Sequence, residues 1–419
     1  MKIQTDYLII GGGIAGTTAA ETIREKDTGG IVAIITKEPH PLYSRVLLPS
    51  YIEGRIPREQ VFLRTLEDYV KKGIHLYTDE EVTVLDVEKR EVLTAKGNIF
   101  YYKQLLISAG GKVKKWSTIG LQDVARLHTV EDADAFREKL SYMTNPEVGL
   151  VGGGFIGLEI MAALIPRKIP VHCFIREPRY WARFLDKVGS EILETHIGNN
   201  HVTFHHEEEI TALRRNEDGS VFVATTKRNT FQVGMMAVGI GIEREISVFG
   251  GVGLEVERGI KTNEFLETNI PGIWAAGDIA EYYAPLFGRH LVVGSWNNSF
   301  LQGRVAGGNM TARQVQADSK NAFLQIPLYA IDVANLHITF LGDVYDDHVQ
   351  VYTGYTRFLE NNFYERFFVY NNHLVGAVLV NKFEDRKNVE NLIRSKADVS
   401  SFVPIFEDPL ASLDAIFSL

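Results

Sequence analysis

Cysteine is nearly absent: Cys173 is the only one in 419 residues. A single thiol excludes an intramolecular disulfide, a Cys-x-x-Cys redox pair and a cysteine cage for zinc. It also gives no sign of an oxidising compartment. A basic excess is missing too. The 44 Lys and Arg stand against 53 Asp and Glu, a net charge of −9, which excludes the basic footprint of a broad nucleic-acid surface. No apolar run reaches the length of a membrane span. The first residues pass directly into a short apolar stretch that stops at Gly11, unlike a signal peptide. These absences predict a soluble, cytoplasmic protein with no membrane or nucleic-acid partner.

What is present is ordinary globular material, with 45% hydrophobic and 23% charged residues. The length calls for two or three domains. The 37 glycines are clustered. Tyr7 to Ile10 is an apolar strand candidate, followed by Gly11-Gly12-Gly13-Ile14-Ala15-Gly16, a helical stretch through Glu25 and a second strand candidate from Ile31 to Ile35. The pattern returns as Val148 to Val151, Gly152-Gly153-Gly154-Phe155-Ile156-Gly157, a helical Leu158 to Ile165 and a strand from Val171 to Ile175.

Gly11, Gly13 and Gly16 have the G-x-G-x-x-G spacing of a dinucleotide turn. The first glycine permits the tight turn, the second lets backbone approach a pyrophosphate, and the third lets helix and strand pack closely. The helix N-terminus then offers free N–H groups to the phosphates. Glu38, 22 residues past Gly16, can accept hydrogen bonds from ribose hydroxyls. Gly152, Gly154 and Gly157 repeat the spacing. Here Ile175 is followed by Arg176 and Glu177. Arg176 can pair with a 2′-phosphate and favours NADPH, whereas Glu177 on the ribose would favour NADH. Two such turns imply two bound dinucleotides, most economically a redox relay.

A third signature runs Thr268-Asn269-Ile270-Pro271-Gly272-Ile273-Trp274-Ala275-Ala276-Gly277-Asp278. With it the chain resembles the pyridine-nucleotide–disulfide oxidoreductase superfamily, in its branch without a dithiol that includes rubredoxin and ferredoxin reductases. The resemblance implies FAD and NAD(P)H as cofactors. It gives Asp278, with Gly277, the ribityl chain of FAD. Pro41-Leu42-Tyr43-Ser44-Arg45 resembles the family segment whose arginine lies near the flavin and its phosphates. Val82 stands where the family touches adenine through its backbone. Ala109 and Gly110 end the strand that closes the FAD domain, and Trp296 to Gly303, with Gln302, resembles the segment under the isoalloxazine. The FAD contacts implied are therefore Gly11, Gly13, Ala15, Gly16, Glu38, Arg45, Val82, Ala109, Gly110, Gly277, Asp278 and Trp296. The nucleotide contacts are Gly152, Gly154, Phe155, Ile156, Gly157, Glu159, Arg176 and Gly239. Phe155 and Glu159 match positions lining the nicotinamide pocket, the glutamate meeting the carboxamide, and Gly239 ends the return strand.

Two departures qualify the resemblance. The family's Cys-x4-Cys pair is replaced by Leu42 to Leu48, so no redox dithiol or peroxidatic cysteine exists. A lysine found after the arginine in several ferredoxin reductases is Ser50 here, which removes its partnership with a carboxylate near the flavin.

The expected fold is α/β, with two Rossmann-like dinucleotide-binding domains and a C-terminal α+β domain. The FAD domain is expected over 1–112 and 241–320, the NAD(P) domain over 113–240 and the C-terminal domain over 321–419, with Asn371-Asn372 as a hairpin turn. That last domain is expected to shape an acceptor or homodimer surface. The expected reaction passes a hydride from NAD(P)H to FAD and electrons on to a small electron-carrier protein such as rubredoxin or ferredoxin. It requires no catalytic side chain. The alternatives are an NAD(P)H oxidase, the flavin subunit of a larger reductase, and a nucleotide-sensing flavoprotein with little turnover. No metal site is expected: His196, His201, His205 and His206 read as surface or strand residues, with no cysteine to join them. Cys173 reads as a small buried hydrophobe, Glu207-Glu208-Glu209 as a solvated face or loop, and Lys112, Lys114 and Lys115 as a solvated linker.

Overall fold

The computed structural model describes residues 1–116, 124–312, 320–344, 347–359 and 363–417. They form two compact units: residues 1–44, 59–112 and 244–328 make the first, and 45–58, 113–243 and 329–419 the second. The fold class is the expected one: two Rossmann-like α/β sheets and a C-terminal α+β domain.

The first unit is built on a five-stranded parallel sheet in the order Ile273–Ala275, Gln104–Ile107, Tyr7–Ile10, Val32–Ile35, Ile74–Tyr77. The run Tyr7 to Ile10 is buried throughout, as a strand covered on both faces must be. Ile10 lies opposite Ile35 on one side and Ile107 on the other, and Ala275 lies opposite Ile107. Parallel pairing therefore delivers the residues after four strands to one edge: Gly11, Glu38, Ala109 with Gly110, and Gly277 with Asp278. This is where open α/β sheets place their ligands.

Helix Ile14–Lys26 packs along helix Trp296–Ala312. Small residues bring the two backbones together. A Cβ on Gly303 would lie 2.3 Å from the Ala15 carbonyl oxygen, and one on Gly307 2.5 Å from that of Ala19. Gly303 and Gly307 are one helical turn apart, so both face the same partner.

In the second unit a parallel sheet runs Val202–His205, Val171–Phe174, Val148–Val151, Met235–Val238. Val151 is opposite both Phe174 and Val238, so Gly152, the Ile175-Arg176 corner and Gly239 share an edge. A five-stranded antiparallel sheet spans Leu328–Val333 to His373–Val380 and carries helix Arg386–Ser395. Strands Phe363–Tyr370 and His373–Val380 pair antiparallel through Asn371 (φ 48°) and Asn372 (φ 63°). Two left-handed residues suit a tight hairpin turn, as expected.

The acidic run departs from expectation. Glu207 and Glu209 are exposed, but Glu208 is buried. Its carboxylate accepts from Thr225 Oγ1 and, at 2.9 Å, from Asn229 Nδ2, partners that repay its desolvation. Cys173 is buried, and burial pushes its thiol up to about 12.

Candidate dinucleotide sites

In the first unit the three motif glycines play separable roles. Gly11 has φ 108°, and a Cβ there would lie 2.3 Å from the Ser108 carbonyl oxygen. A Cβ on Gly16 would lie 2.0 Å from the Gly11 carbonyl oxygen. At Gly13 a Cβ would meet nothing within 4 Å. Gly11 and Gly16 thus close the turn, and Gly13 borders open space. Helix Ile14–Lys26 starts there with no side-chain cap and no acidic residue in its first turn. Its first N–H groups are left for a ligand anion.

The other residues expected to contact FAD are placed as follows. Ala15 is buried in the first helical turn. The Glu38 carboxylate accepts from the Tyr43 hydroxyl at 2.7 Å. Asp278 is partly buried, and Ser299 Oγ donates to its carboxylate at 3.1 Å. The Gly277 N–H donates to Gln302 Oε1 at 2.7 Å. Gln302 is wholly buried and its Nε2 has no hydrogen-bond partner, an orphaned donor beside the Gly-Asp signature. Val82 opens the strand Val82–Asp86 of a smaller sheet and Trp296 opens helix Trp296–Ala312. An uncapped helix end, an open Gly13 and a spare amide donor fit the pyrophosphate and polar groups of FAD. Arg45 belongs to the second unit, where it begins the 3-10 turn Arg45–Leu47 and donates to the His128 carbonyl.

Sequence reasoning missed Arg244. It donates from Nε to the Asp278 carbonyl, placing a guanidinium beside the Gly-Asp signature. Burial lowers its pKa from the ordinary value, with Asp278 opposing. No local motif marks it, since the contact spans the sequence from Arg244 to Asp278.

The second unit repeats the turn. Gly152 has φ 105° and a Cβ there would lie 2.6 Å from the Gly239 carbonyl oxygen; one on Gly157 would lie 2.0 Å from that of Gly152; one on Gly154 meets nothing within 4 Å. Helix Phe155–Leu164 has no side-chain cap and no acidic first turn. Ile156 is partly buried in that turn. The turn is held from outside by Trp181, whose indole N–H donates to the Gly153 carbonyl at 2.7 Å and whose φ is 54°. Arg176 is exposed and ion-paired with Glu209 at 2.6 Å, so a 2′-phosphate there would compete with that carboxylate.

Phe155 sits in a group of aromatic rings, 4.5 Å from Tyr329, 5.1 Å from Phe340 and 5.6 Å from Trp181 between centroids. The Tyr329 hydroxyl donates to Glu159 Oε1 at 3.1 Å. Burial pushes the Glu159 carboxyl up to about 7, and the tyrosine donor works against that rise. The histidines hold a different surprise. His205 Nε2 meets Nδ1 of His172 at 3.0 Å, and His172 Nε2 meets Glu147 at 3.2 Å. His205 lies stacked on Phe174. His172 was not among the histidines flagged by sequence.

Two parallel sheets, each ending in an open glycine turn and an uncapped helix, define a protein that holds two dinucleotides. The model of the pyridine nucleotide-disulphide oxidoreductase family matches residues 5–303, and the chain belongs to that family, with FAD and NAD(P)H as its cofactors. It is 30% identical over 321 residues to apoptosis-inducing factor 3 of Homo sapiens, covering 75% of this chain and 52% of that one. It is 30% identical over 299 residues to the seedling isozyme of monodehydroascorbate reductase from Cucumis sativus, covering 67% and 69%. The chain spans about half the length of the apoptosis-inducing factor 3 relatives it matches. The fold matches the putidaredoxin reductase of a covalent reductase–putidaredoxin complex at a TM-score of 0.86 and 21% identity, over 99% of this chain and 98% of that one.

Proposed function

We propose that this chain is an FAD-dependent NAD(P)H oxidoreductase whose electrons go to a small electron-carrier protein. The observation that carries the reading is the doubled turn: Gly13 and Gly154 each border open space at an uncapped helix N-terminus, one in each sheet. FAD, when bound, supplies the acceptor for a hydride from NAD(P)H and the outlet for single electrons.

The side chains have binding and orienting work. The first turn of helix Ile14–Lys26 would hold the FAD pyrophosphate, Glu38 a ribose, and Asp278, steadied by Ser299, the ribityl hydroxyls. The first turn of helix Phe155–Leu164 would hold the nucleotide phosphates, and Glu159 the carboxamide. Arg176 supports NADPH over NADH. No thiol can take part as an intermediate carrier, because Cys173 is buried and its ionisation is suppressed. Electrons therefore leave without a protein disulfide, which supports a direct acceptor. A cytoplasmic location fits a chain in which no helix of the described residues is long and apolar enough to cross a membrane.

A small-molecule acceptor is the second reading, supported by the likeness to monodehydroascorbate reductase. Anaerobic stopped-flow mixing of NAD(P)H-reduced protein with oxidised rubredoxin, ferredoxin, monodehydroascorbate radical or oxygen separates the two. Fast reoxidation by an iron–sulfur or rubredoxin-type carrier is expected. Fast reoxidation by oxygen or the small radical, with none by carriers, overturns the carrier assignment.

A further inference from the structure

Glu159 is an unusual acid for its place. It projects from helix Phe155–Leu164 one turn past the open end at Gly154. Among the described residues its one hydrogen-bond partner is Tyr329, and no cation pairs with it. Helix Leu48–Glu53 packs on this helix and brings Ser50 rather than a lysine. Ser50 is buried and accepts from Arg55 Nη2.

The other charged groups on the packed elements are engaged elsewhere. Glu53 pairs with Arg55 at 3.5 Å. The Tyr51 hydroxyl donates to Asp134 Oδ1 at 2.7 Å, and Arg137 lies over the Tyr51 ring. Arg167, beyond the helix, donates to the Ile52 carbonyl, and Arg183 lies over the Phe184 ring. Glu159 therefore has one phenol donor, Tyr329, on its carboxyl and no cation to hold it as a carboxylate. Glu159 is partly buried, and desolvation of its carboxyl without a cation favours the protonated acid.

A protonated carboxyl has one donor and one acceptor face, and a primary carboxamide has the matching pair. Which oxygen carries the proton then decides whether the two can meet. Tyr329 donates to Oε1, so Oε1 serves as the acceptor and the acid proton is left to Oε2.

We propose that Tyr329 is a positioning residue of the nucleotide site: by donating to Glu159 Oε1 it fixes the acid proton on Oε2, from which Glu159 donates to the nicotinamide carboxamide oxygen. The inference rests on the nucleotide-site assignment above. It goes beyond that assignment by giving the protonation state, the atom and the residue that sets both. Tyr329 lies on strand Leu328–Val333 of the C-terminal sheet, so that sheet contributes directly to nucleotide reading. Its ring lies against Phe155, and Tyr329→Phe removes the hydroxyl while keeping that packing.

The test is calorimetric titration of the FAD-loaded protein with a redox-inert tetrahydronicotinamide nucleotide, and separately with ADP-ribose, which lacks the carboxamide. At a pH about one unit below the Glu159 transition, Tyr329→Phe should weaken the inert nucleotide about five- to tenfold and leave ADP-ribose unchanged. About one unit above the transition, the wild type should take up a fraction of a proton on binding the inert nucleotide, read from the heats in two buffers. Glu159→Gln should take up none. Tyr329→Phe should move the uptake to higher pH, because it loses the donor that favours the carboxylate. Wild-type affinity and wild-type proton uptake in Tyr329→Phe overturn the proposal. Failure of the wild type to bind ADP-ribose instead overturns the nucleotide-site assignment beneath it, so the two failures are distinct.

Discussion

Replacing Gly13 and Gly16 by alanine, one at a time, separates what builds the first turn from what serves the ligand. At Gly16 the new methyl would lie 2.0 Å from the Gly11 carbonyl oxygen, 2.7 Å from Ser108 Oγ and 2.9 Å from Ile9 Cγ2. The nearest obstacle is backbone, and all three atoms belong to the strand edge itself. The turn must open, at a cost of about 1–3 kcal/mol or more. At Gly13 the methyl meets nothing within 4 Å, and φ −71° suits alanine. The change of cap residue costs the apoprotein at most about 1 kcal/mol. The methyl would, however, stand where the backbone must approach the pyrophosphate, and a tenfold to hundredfold weaker FAD complex, roughly 1.4–2.8 kcal/mol, is expected. Calorimetry of the flavin-stripped protein gives the first quantity and fluorescence titration with FAD gives the second. Gly16→Ala should lower the apoprotein Tm by several degrees, and Gly13→Ala should change chiefly the FAD affinity. Wild-type FAD affinity in Gly13→Ala would remove the helix N-terminus as the phosphate cradle. An unchanged apoprotein Tm in Gly16→Ala would refute the close-approach argument.

Two further outcomes are expected. Arg176→Ala should lower kcat/KM for NADPH by about tenfold and leave NADH nearly unchanged, because an exposed 2′-phosphate contact is worth about 1.4 kcal/mol; a wild-type enzyme with a strong NADH preference contradicts the role given to Arg176. The protein should also lose stability in acid through His205, whose pKa is lowered first by burial and then by His172. Between the ordinary histidine pKa and that lower folded value the unfolded chain binds more protons, so stability falls as pH drops through this window. Thermal melts against pH should show this, with the slope reduced in His205→Gln; an equal slope in the variant removes the histidine pair as its source.

Much of the fold was legible because its signals are local. A dinucleotide turn is a few consecutive residues whose glycines answer to nearby atoms: Gly16 to Gly11, Gly157 to Gly152. The hairpin at Asn371-Asn372 likewise depends on two backbone dihedrals. What escaped is made by residues far apart in the chain. Tyr329 meets Glu159 across 170 residues and Arg244 meets Asp278 across 34, and no periodicity encodes either pairing. Trp181 bonds the Gly153 carbonyl from a left-handed backbone conformation that nothing in its local sequence announces. Glu208 looked like part of a charged surface run, yet Thr225, at the end of strand Val221–Thr225, and Asn229, in the turn after it, satisfy it indoors. Burial of a charge is set by such partners, which the run Glu207-Glu208-Glu209 cannot show by itself.

The central claim is that one chain holds FAD and draws electrons from NAD(P)H. Its most direct test is the visible spectrum of the purified protein, taken without air before and after one equivalent of NADPH or NADH. The account predicts about one FAD per chain and loss of the yellow flavin band on adding the nucleotide. A colourless protein that takes up no FAD, or a flavin band that neither nucleotide bleaches, would contradict it.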